Sequence, residues 1–314
     1  YADGKVLWGK MEYFSGYGFS KNHAIPYSII SYQCAWLQTY YQDEWISAFL
    51  DHEPDKRKEA AINIARSFGY EVAPLDINTS GTAWEVRNGK LVPPLTTIKG
   101  LGDAAIDEVI FKRPFETVED LLFDKGVVAR KVNKKSLDAM CRAGAMQSLQ
   151  DDRFFGDKHF WSAVVVDKPK NKKKLNENIE KYRDEGSFTK GETINHLQAL
   201  TGIYPINMVV PVKAYKFFEM QGINPISEYD SELGKAWCVP TEVITRKTKT
   251  GKFYYQVIVI DSNMKTQKIN CWGIDPKKDF IYTHRLYVLE WPQYNATWGF
   301  STRGGLSRNW KLLG

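Results

Sequence analysis

Ile98-Lys99-Gly100-Leu101-Gly102-Asp103-Ala104-Ala105-Ile106 is the stretch that decides how this chain is read. An apolar residue precedes a Gly-x-Gly turn, and a helical pattern starts directly after it. Glycines permit positive φ and let another molecule come close to the backbone. The first N–H groups of a helix have no intrahelical acceptor, so they can face an anion such as a phosphate. Lys99 can add Coulomb attraction. The competing reading is an ordinary glycine turn between two helices, because Gly-x-Gly is common.

The flanks bear on that choice. Thr117-Val118-Glu119-Asp120-Leu121-Leu122 reads as a capped helix start. Arg130-Lys131-Val132-Asn133-Lys134-Lys135 precedes a helix from Ser136 to Met140, which Cys141 to Met146 closes with a glycine turn. A basic cluster is most often a solvated face, but this one lies beside the glycine turn. Together they resemble a helix-hairpin-helix DNA-binding element. Upstream, Trp84-Glu85-Val86-Arg87, Asn88-Gly89 and Lys90-Leu91-Val92 predict a hairpin with a type I′ turn. Val72 to Asn78 reads as extended.

Farther upstream, residues 1 to about 75 read as helical. Gly16-Tyr17-Gly18-Phe19-Ser20-Lys21-Asn22-His23-Ala24 places a lysine and a histidine at a helix start, where phosphate is favoured. Ser20 or Asn22 can cap that helix, and Pro26 is expected in its first turn, where a missing N–H costs little. Ile30, Cys34, Leu37 and Tyr41 recur at helical spacing as an apolar stripe. Asp43 and Asp55 can cap two further helices, the second ended by Gly69.

Downstream, Lys168-Pro169-Lys170-Asn171-Lys172-Lys173-Lys174 is a basic run, read as a flexible exposed linker. Lys213 to Met220 reads as a helix. From Lys235 the pattern turns to strands: Ala236 to Thr245, Phe253 to Ile260, Gln267 to Trp272, Arg285 to Trp291 and Thr297 to Ser301. A basic turn, Arg246-Lys247-Thr248-Lys249-Thr250-Gly251-Lys252, joins the first two. Such a series of short strands resembles an OB-fold, a barrel that often binds single-stranded nucleic acid. Solvated lysines at an ordinary turn are the competing reading. The fold class is α+β and multidomain, with a helical segment, a helix-hairpin-helix module and a C-terminal OB-fold β-barrel.

The totals set limits. A 314-residue chain with 43% hydrophobic residues can form more than one core. A net charge of +6 permits a nucleic-acid partner without requiring one. Cys34, Cys141, Cys238 and Cys271 stand far apart, so no disulfide framework is expected and a reducing compartment is the default. The 5 histidines show no metal-ligand spacing. No apolar run approaches the ~20 residues that span a bilayer, so no membrane partner is expected. The first residues read as the middle of something, which points to a C-terminal part of a longer polypeptide or one piece of a split one.

Taken in order, these segments resemble the C-terminal half of family C DNA polymerases, the bacterial replicative DNA polymerase III α type. Gly16 to His23 looks like the family's GYGFNKSH signature in the fingers. Tyr27, Ser31-Tyr32-Gln33 and Ala35-Trp36-Leu37 fit the helix that follows it, whereas Ile25 and Pro26 replace its usual small residues. Pro74-Leu75-Asp76-Ile77-Asn78 looks like PPDIN, and Ile98-Lys99-Gly100-Leu101-Gly102 like IKGVG. Val132-Asn133-Lys134-Lys135 through Ala143-Gly144-Ala145 is similar to LNRR…AGAF. Leu200-Thr201-Gly202-Ile203-Tyr204-Pro205 is a weaker echo of an LTGHP-type segment and lacks its histidine. Thr245 to Tyr255 resembles the first hairpin of the family's OB-fold.

The resemblance implies fingers over residues 1–80, a helix-hairpin-helix region over 81–150, a linker or helical segment over 151–234 and the OB-fold over 235–314. It implies a part of a nucleotidyltransferase that extends a primer on a DNA template, with primer–template DNA and deoxynucleoside triphosphates as partners. The family's metal-binding aspartates sit in a palm N-terminal to the fingers. Mg²⁺ is therefore expected on a palm-bearing segment or subunit, not on this chain, which carries no catalytic or metal-ligating assignment. Lys21 is expected on the triphosphate or the phosphate backbone, His23 on a phosphate oxygen, and Tyr27 at the nascent base pair or in a core. Lys99, Gly100, Leu101, Gly102, Lys134 and Lys135 are expected on DNA at the hairpin, and Arg246, Lys247, Lys249 and Lys252 at the OB-fold. In Gln150-Asp151-Asp152-Arg153-Phe154-Phe155 an arginine spoils the QxxLF pattern of a clamp-binding peptide, which argues against a sliding-clamp partner. A cytoplasmic location is expected, in the host if the genome is viral. Two other classes stay open: a non-catalytic DNA-binding accessory protein with the same modules, and an RNA-binding OB protein.

Overall fold

The computed structural model describes the backbone of residues 2–15 and 21–313. They divide into two units, Tyr1–His52 and Glu53–Gly314. The first unit holds helices α1 (Ala2–Ser15), α2 (Lys21–Tyr40) and α3 (Gln42–His52). Gly16 to Ser20, the glycine-aromatic half of the first motif, lies outside the described residues. Pro26 corrects an expectation. It stands inside α2 as the sixth residue, beyond the first turn, so the helix forgoes one i to i−4 hydrogen bond there. The expected apolar stripe is present but uncovered, with Ile30, Cys34, Leu37 and Tyr41 all exposed.

In the second unit, α4 (Asp55–Ser67) starts with Pro54 in the capping position, so Asp55 is its first residue instead of its cap. Gly69 follows at φ +93° and ends the helix as expected. Strands β1 (Glu71–Val72), β2 (Glu85–Arg87) and β3 (Lys90–Val92) form a small sheet in the order β1-β3-β2. Asn88 and Gly89 both take positive φ, as a type I′ turn demands. The segment expected to run extended to Asn78 leaves the sheet at Val72. Asp76 Oδ1 turns it by accepting from the Asn78 N–H at 2.8 Å. Ile77 N then donates to Ala145 O at 2.7 Å, which joins two segments 68 residues apart in sequence.

Helices α5 (Asp103–Lys112), α6 (Lys134–Arg142), α7 (Asp157–Trp161) and α8 (Lys172–Lys181) complete this module. Thr117 Oγ1 caps the turn before Asp120, accepting its N–H at 3.2 Å. One hydrophobic core runs from Leu75 to Ile179. The divisions expected at residues 80 and 150 therefore fall inside shared packing. The basic run is no loose linker either. Asn171 Oδ1 caps α8 by accepting from Lys174 N at 2.8 Å. Leu175 and Ile179, four residues apart, then bury against the core, each contributing roughly 1.5–3 kcal/mol.

Helices α9 (Lys190–Thr201), α10 (Ile206–Val209) and α11 (Val212–Gln221) follow, then β4 (Asn224–Pro225). They pack on the outside of a larger sheet through Ile194, Tyr204, Phe218, Trp237 and Val288. The Phe218 and Trp237 rings stack at 5.2 Å. That sheet contains β5 (Lys235–Lys247), β6 (Phe253–Ile260), β7 (Gln267–Trp272), β8 (Leu286–Glu290), β9 (Gln293–Asn295) and β10 (Gly299–Arg303). A short helix α12 (Leu306–Asn309) leads to β11 (Trp310–Leu313).

The order β11-β8-β5-β6-β7-β10-β9 curls on itself. β5 changes partner along its length, pairing with β8 through Lys235–Cys238 and with β6 from Val239 onward. The change is followed at once by a bulge at Thr241, between Pro240 and Glu242, next to a proline that has no N–H to give the ladder. β10 runs parallel to β7, while β11 pairs antiparallel with β8. The strands on either side of α12 thus lie far apart in the sheet, β11 at one edge and β10 one strand in from the other. This is a curled, OB-like half-barrel with its core formed by Tyr255, Val257, Ile269, Cys271 and Leu289. Among the described residues no helix is long and apolar enough to cross a membrane.

Candidate nucleic-acid interface

The start of α5 is built around its two glycines, and they differ. Gly100 takes φ +84°, a conformation that costs other residues about 1–2 kcal/mol. Leu101 buries its side chain in the core and donates its N–H to Ile98 O at 3.1 Å, which closes the turn. Gly102 is the N-cap of α5 at φ −81° and ψ 155°, with no side chain capping the helix. Any residue could adopt that backbone. A methyl group built on Gly102 would meet nothing within 4 Å. Asp103 and Ala104, the first two residues of α5, are exposed, whereas Ala105 is buried and donates its N–H to Gly102 O at 2.9 Å.

Two lysines flank this turn. A methyl group on Gly100 would lie 3.4 Å from Cε and 3.9 Å from Nζ of Lys135, so that side chain lies over the turn. Lys99 leans the other way. Its N–H donates to Leu200 O at 2.7 Å, and its Nζ lies 3.2 Å from where a Gly202 side chain would begin. Gly202 caps the C-terminus of α9, the end of a helix that favours a cation. The Leu200–Pro205 segment is therefore a structural neighbour of the hairpin, 101 residues away in sequence. Lys134 points elsewhere, donating Nζ to Val166 O at 2.8 Å. Glu108 anchors the loop between α5 and α6. Lys131 and the Val128 N–H hold its carboxyl below the usual carboxylate range.

The OB-like sheet carries a second cluster. Arg246, Lys247, Lys249 and Lys252 all occupy the exposed β5–β6 turn. Lys247 Nζ lies 4.8 Å from the centre of the Phe253 ring. Below the turn, the register aligns Arg246 with Tyr254, Tyr254 with Trp272, and Trp272 with Arg303 across four strands. Tyr254 and Trp272 stack at 4.3 Å, on the face opposite the buried Tyr255 and Cys271. A row of two stacked aromatics between two arginines suits bases and phosphates together. Reading the residues missed Tyr254, Trp272 and Arg303. Their alternation with buried neighbours was the available signal, but the strand register was not.

Lys21, His23 and Tyr27 lie on α2, in the other unit. The side chains of Lys21 and His23 lie outside the described residues, and Tyr27 is exposed. The clamp-like segment is folded in: Arg153 pairs with Glu119 and Asp151, and Phe154 is buried. Among the described residues no group of His, Cys, Asp or Glu is arranged to hold a metal.

Residues 69–154 match the helix-hairpin-helix motif family. Over 152 residues, 46% of this chain, the sequence is 34% identical to DNA polymerase III subunit alpha of Thermus aquaticus. It is 36% identical over 146 residues to the subunit of Caulobacter vibrioides, and 34% identical over 154 residues to that of Neisseria meningitidis. Close to half of this chain is homologous to DNA polymerase III subunit alpha. The aligned stretch spans only 12% to 13% of each relative's length. With the helix-hairpin-helix motif, the likeness fits a C-terminal portion of such a subunit.

Proposed function

We propose that this chain is the DNA-holding part of a family C replicative polymerase. In this reading the hairpin at Gly100–Gly102 takes a phosphate of duplex DNA, and the Arg246–Tyr254–Trp272–Arg303 row takes the single-stranded template. The observation that carries it is Gly102, an N-cap left without a side chain although neither backbone nor space requires glycine there. A phosphate needs that access.

The catalytic acids and their two Mg²⁺ ions belong to a palm on another segment or subunit, which also brings the deoxynucleoside triphosphate. The first unit supports such a neighbour. Trp8, Met11, Ile25, Ile30, Tyr32 and Tyr40 on α1 and α2 are each more than half exposed, a concentration of large apolar side chains of the kind that marks an interaction surface. Lys21 and His23 would meet the nucleotide at the start of α2, in a cytoplasmic replisome. The test is reconstitution with a palm-bearing partner and Mg²⁺ on a primed template. Template-directed extension is expected, and Lys21→Ala should slow it. A folded pair that binds DNA but adds no nucleotide sinks the polymerase reading and leaves an accessory DNA-binding protein.

A further inference from the structure

The basic run has a fixed place beside the hairpin. Lys134 Nζ donates to Val166 O at 2.8 Å, and Lys168 Nζ reaches back to Val132 O at 3.5 Å. These reciprocal bonds stitch 166–168 to the start of α6, whose next residue, Lys135, lies over Gly100. Lysines thus follow one another from the hairpin through Lys135, Lys134 and Lys168 to Lys170 and Lys173. Lys168, Lys170, Lys173 and Lys174 line a surface groove of about 420 Å³ together with Asp167 and Glu177.

The acids of this region are already committed. Asp124 pairs with Lys172, Asp167 with Lys174 and Lys181, and Glu177 with Lys174. Among the described residues, Lys168, Lys170 and Lys173 have no carboxylate partner. Burial lowers the pKa of Lys168, while Lys170 and Lys173 are exposed. The capped N-terminus of α8 places its positive end in the same groove.

We propose that this strip is a second contact for the phosphate backbone of duplex DNA, continuing from the hairpin. It rests on the reading of the hairpin as a duplex contact. A series of lysines without carboxylate partners, carried on folded backbone, fits a regular row of phosphates, which a duplex presents and a flexible single strand does not.

The test measures affinity of the full chain for a fluorescent DNA duplex over a series of NaCl concentrations. Each phosphate contact adds about 0.9 to the slope of log affinity against log salt. Lys170→Gln with Lys173→Gln should lower that slope by about 1.8. Lys216→Gln with Lys235→Gln, which removes equal charge from α11 and β5, should leave it unchanged. An unchanged slope in the first variant overturns the proposal, as does an equal loss in the second. Loss of duplex RNA binding alone overturns the assignment to DNA. If Lys99→Gln with Lys135→Gln lowers the slope and the strip variant does not, the hairpin reading survives and the strip fails. If the parent chain shows no salt-dependent duplex binding, the hairpin reading itself fails.

Discussion

Replacing Gly102 by serine sets stability against binding. The N-cap backbone, φ −81° and ψ 155°, suits serine, and a methyl-sized group there meets nothing within 4 Å. A side-chain cap in place of glycine gains a few tenths of a kcal/mol. Restricting the unfolded chain adds about 0.4–1 kcal/mol. Gly102→Ser should therefore stabilise the protein by about 1 kcal/mol, raising its thermal midpoint by roughly 2–4 °C. The serine hydroxyl would take the N–H of Ala104, since Ala105 N already donates to Gly102 O at 2.9 Å, and its methylene would stand where the proposed phosphate approaches. Losing one hydrogen bond to a charged group costs about 1.5–3 kcal/mol, so duplex affinity should fall about ten- to hundredfold. Thermal unfolding and fluorescence anisotropy on the same preparation measure both. A stabilised variant that binds duplex DNA as tightly as its parent refutes the reasoning.

Other outcomes follow from single contacts. Asn78 donates to Phe115 O at 2.8 Å and accepts from Phe115 N at 2.7 Å. Asn78→Ala should lower stability by about 1–3 kcal/mol, seen as an earlier urea midpoint at constant m; an unchanged midpoint would show the clamp to be idle. Trp272→Ala should weaken single-stranded DNA binding by about 1–3 kcal/mol and leave duplex binding alone; unchanged single-strand binding would place the stack outside the binding face. Burial depresses the pKa values of His196 and His284 below the ordinary 6.5. The unfolded chain therefore takes up these protons first. Their contribution is complete above pH 6.5 and is lost as pH falls below it. His284 sits between the Tyr204 hydroxyl and Asn195 Oδ1, each at 3.0 Å. The stability gap between the parent and His284→Gln should narrow as pH falls from 7 towards 5.5 in thermal unfolding, and a gap that widens contradicts the assignment.

What could be read from residues alone was what local backbone chemistry writes. Asn88-Gly89 had to be a tight hairpin turn, Gly69 a helix end, and the β-branched runs after Lys235 the strands of a curled sheet. What could not be read depended on distance or register. Five lysines between 168 and 174 hid the pair Leu175 and Ile179, whose four-residue spacing makes α8 a buried helix. Pro26 suggested a helix start because proline is favoured there, but α2 begins five residues earlier. The row through Tyr254 and Trp272 exists only once the strands are aligned.

The hairpin shows most clearly how sequence and structure divide the work. Ile98-Lys99-Gly100-Leu101-Gly102 presents two glycines that look equivalent as letters. The φ of +84° explains Gly100 fully, because the fold would strain any other residue there. Nothing in the fold explains Gly102. Its backbone is ordinary, its surroundings are empty, and an N-cap serine would make a better helix. In the proposed reading, a position where the fold would gain from a side chain and has none is kept open for a ligand. With Lys135 over the turn and Asp103 and Ala104 exposed at the start of α5, the occupant we propose is a phosphate of DNA.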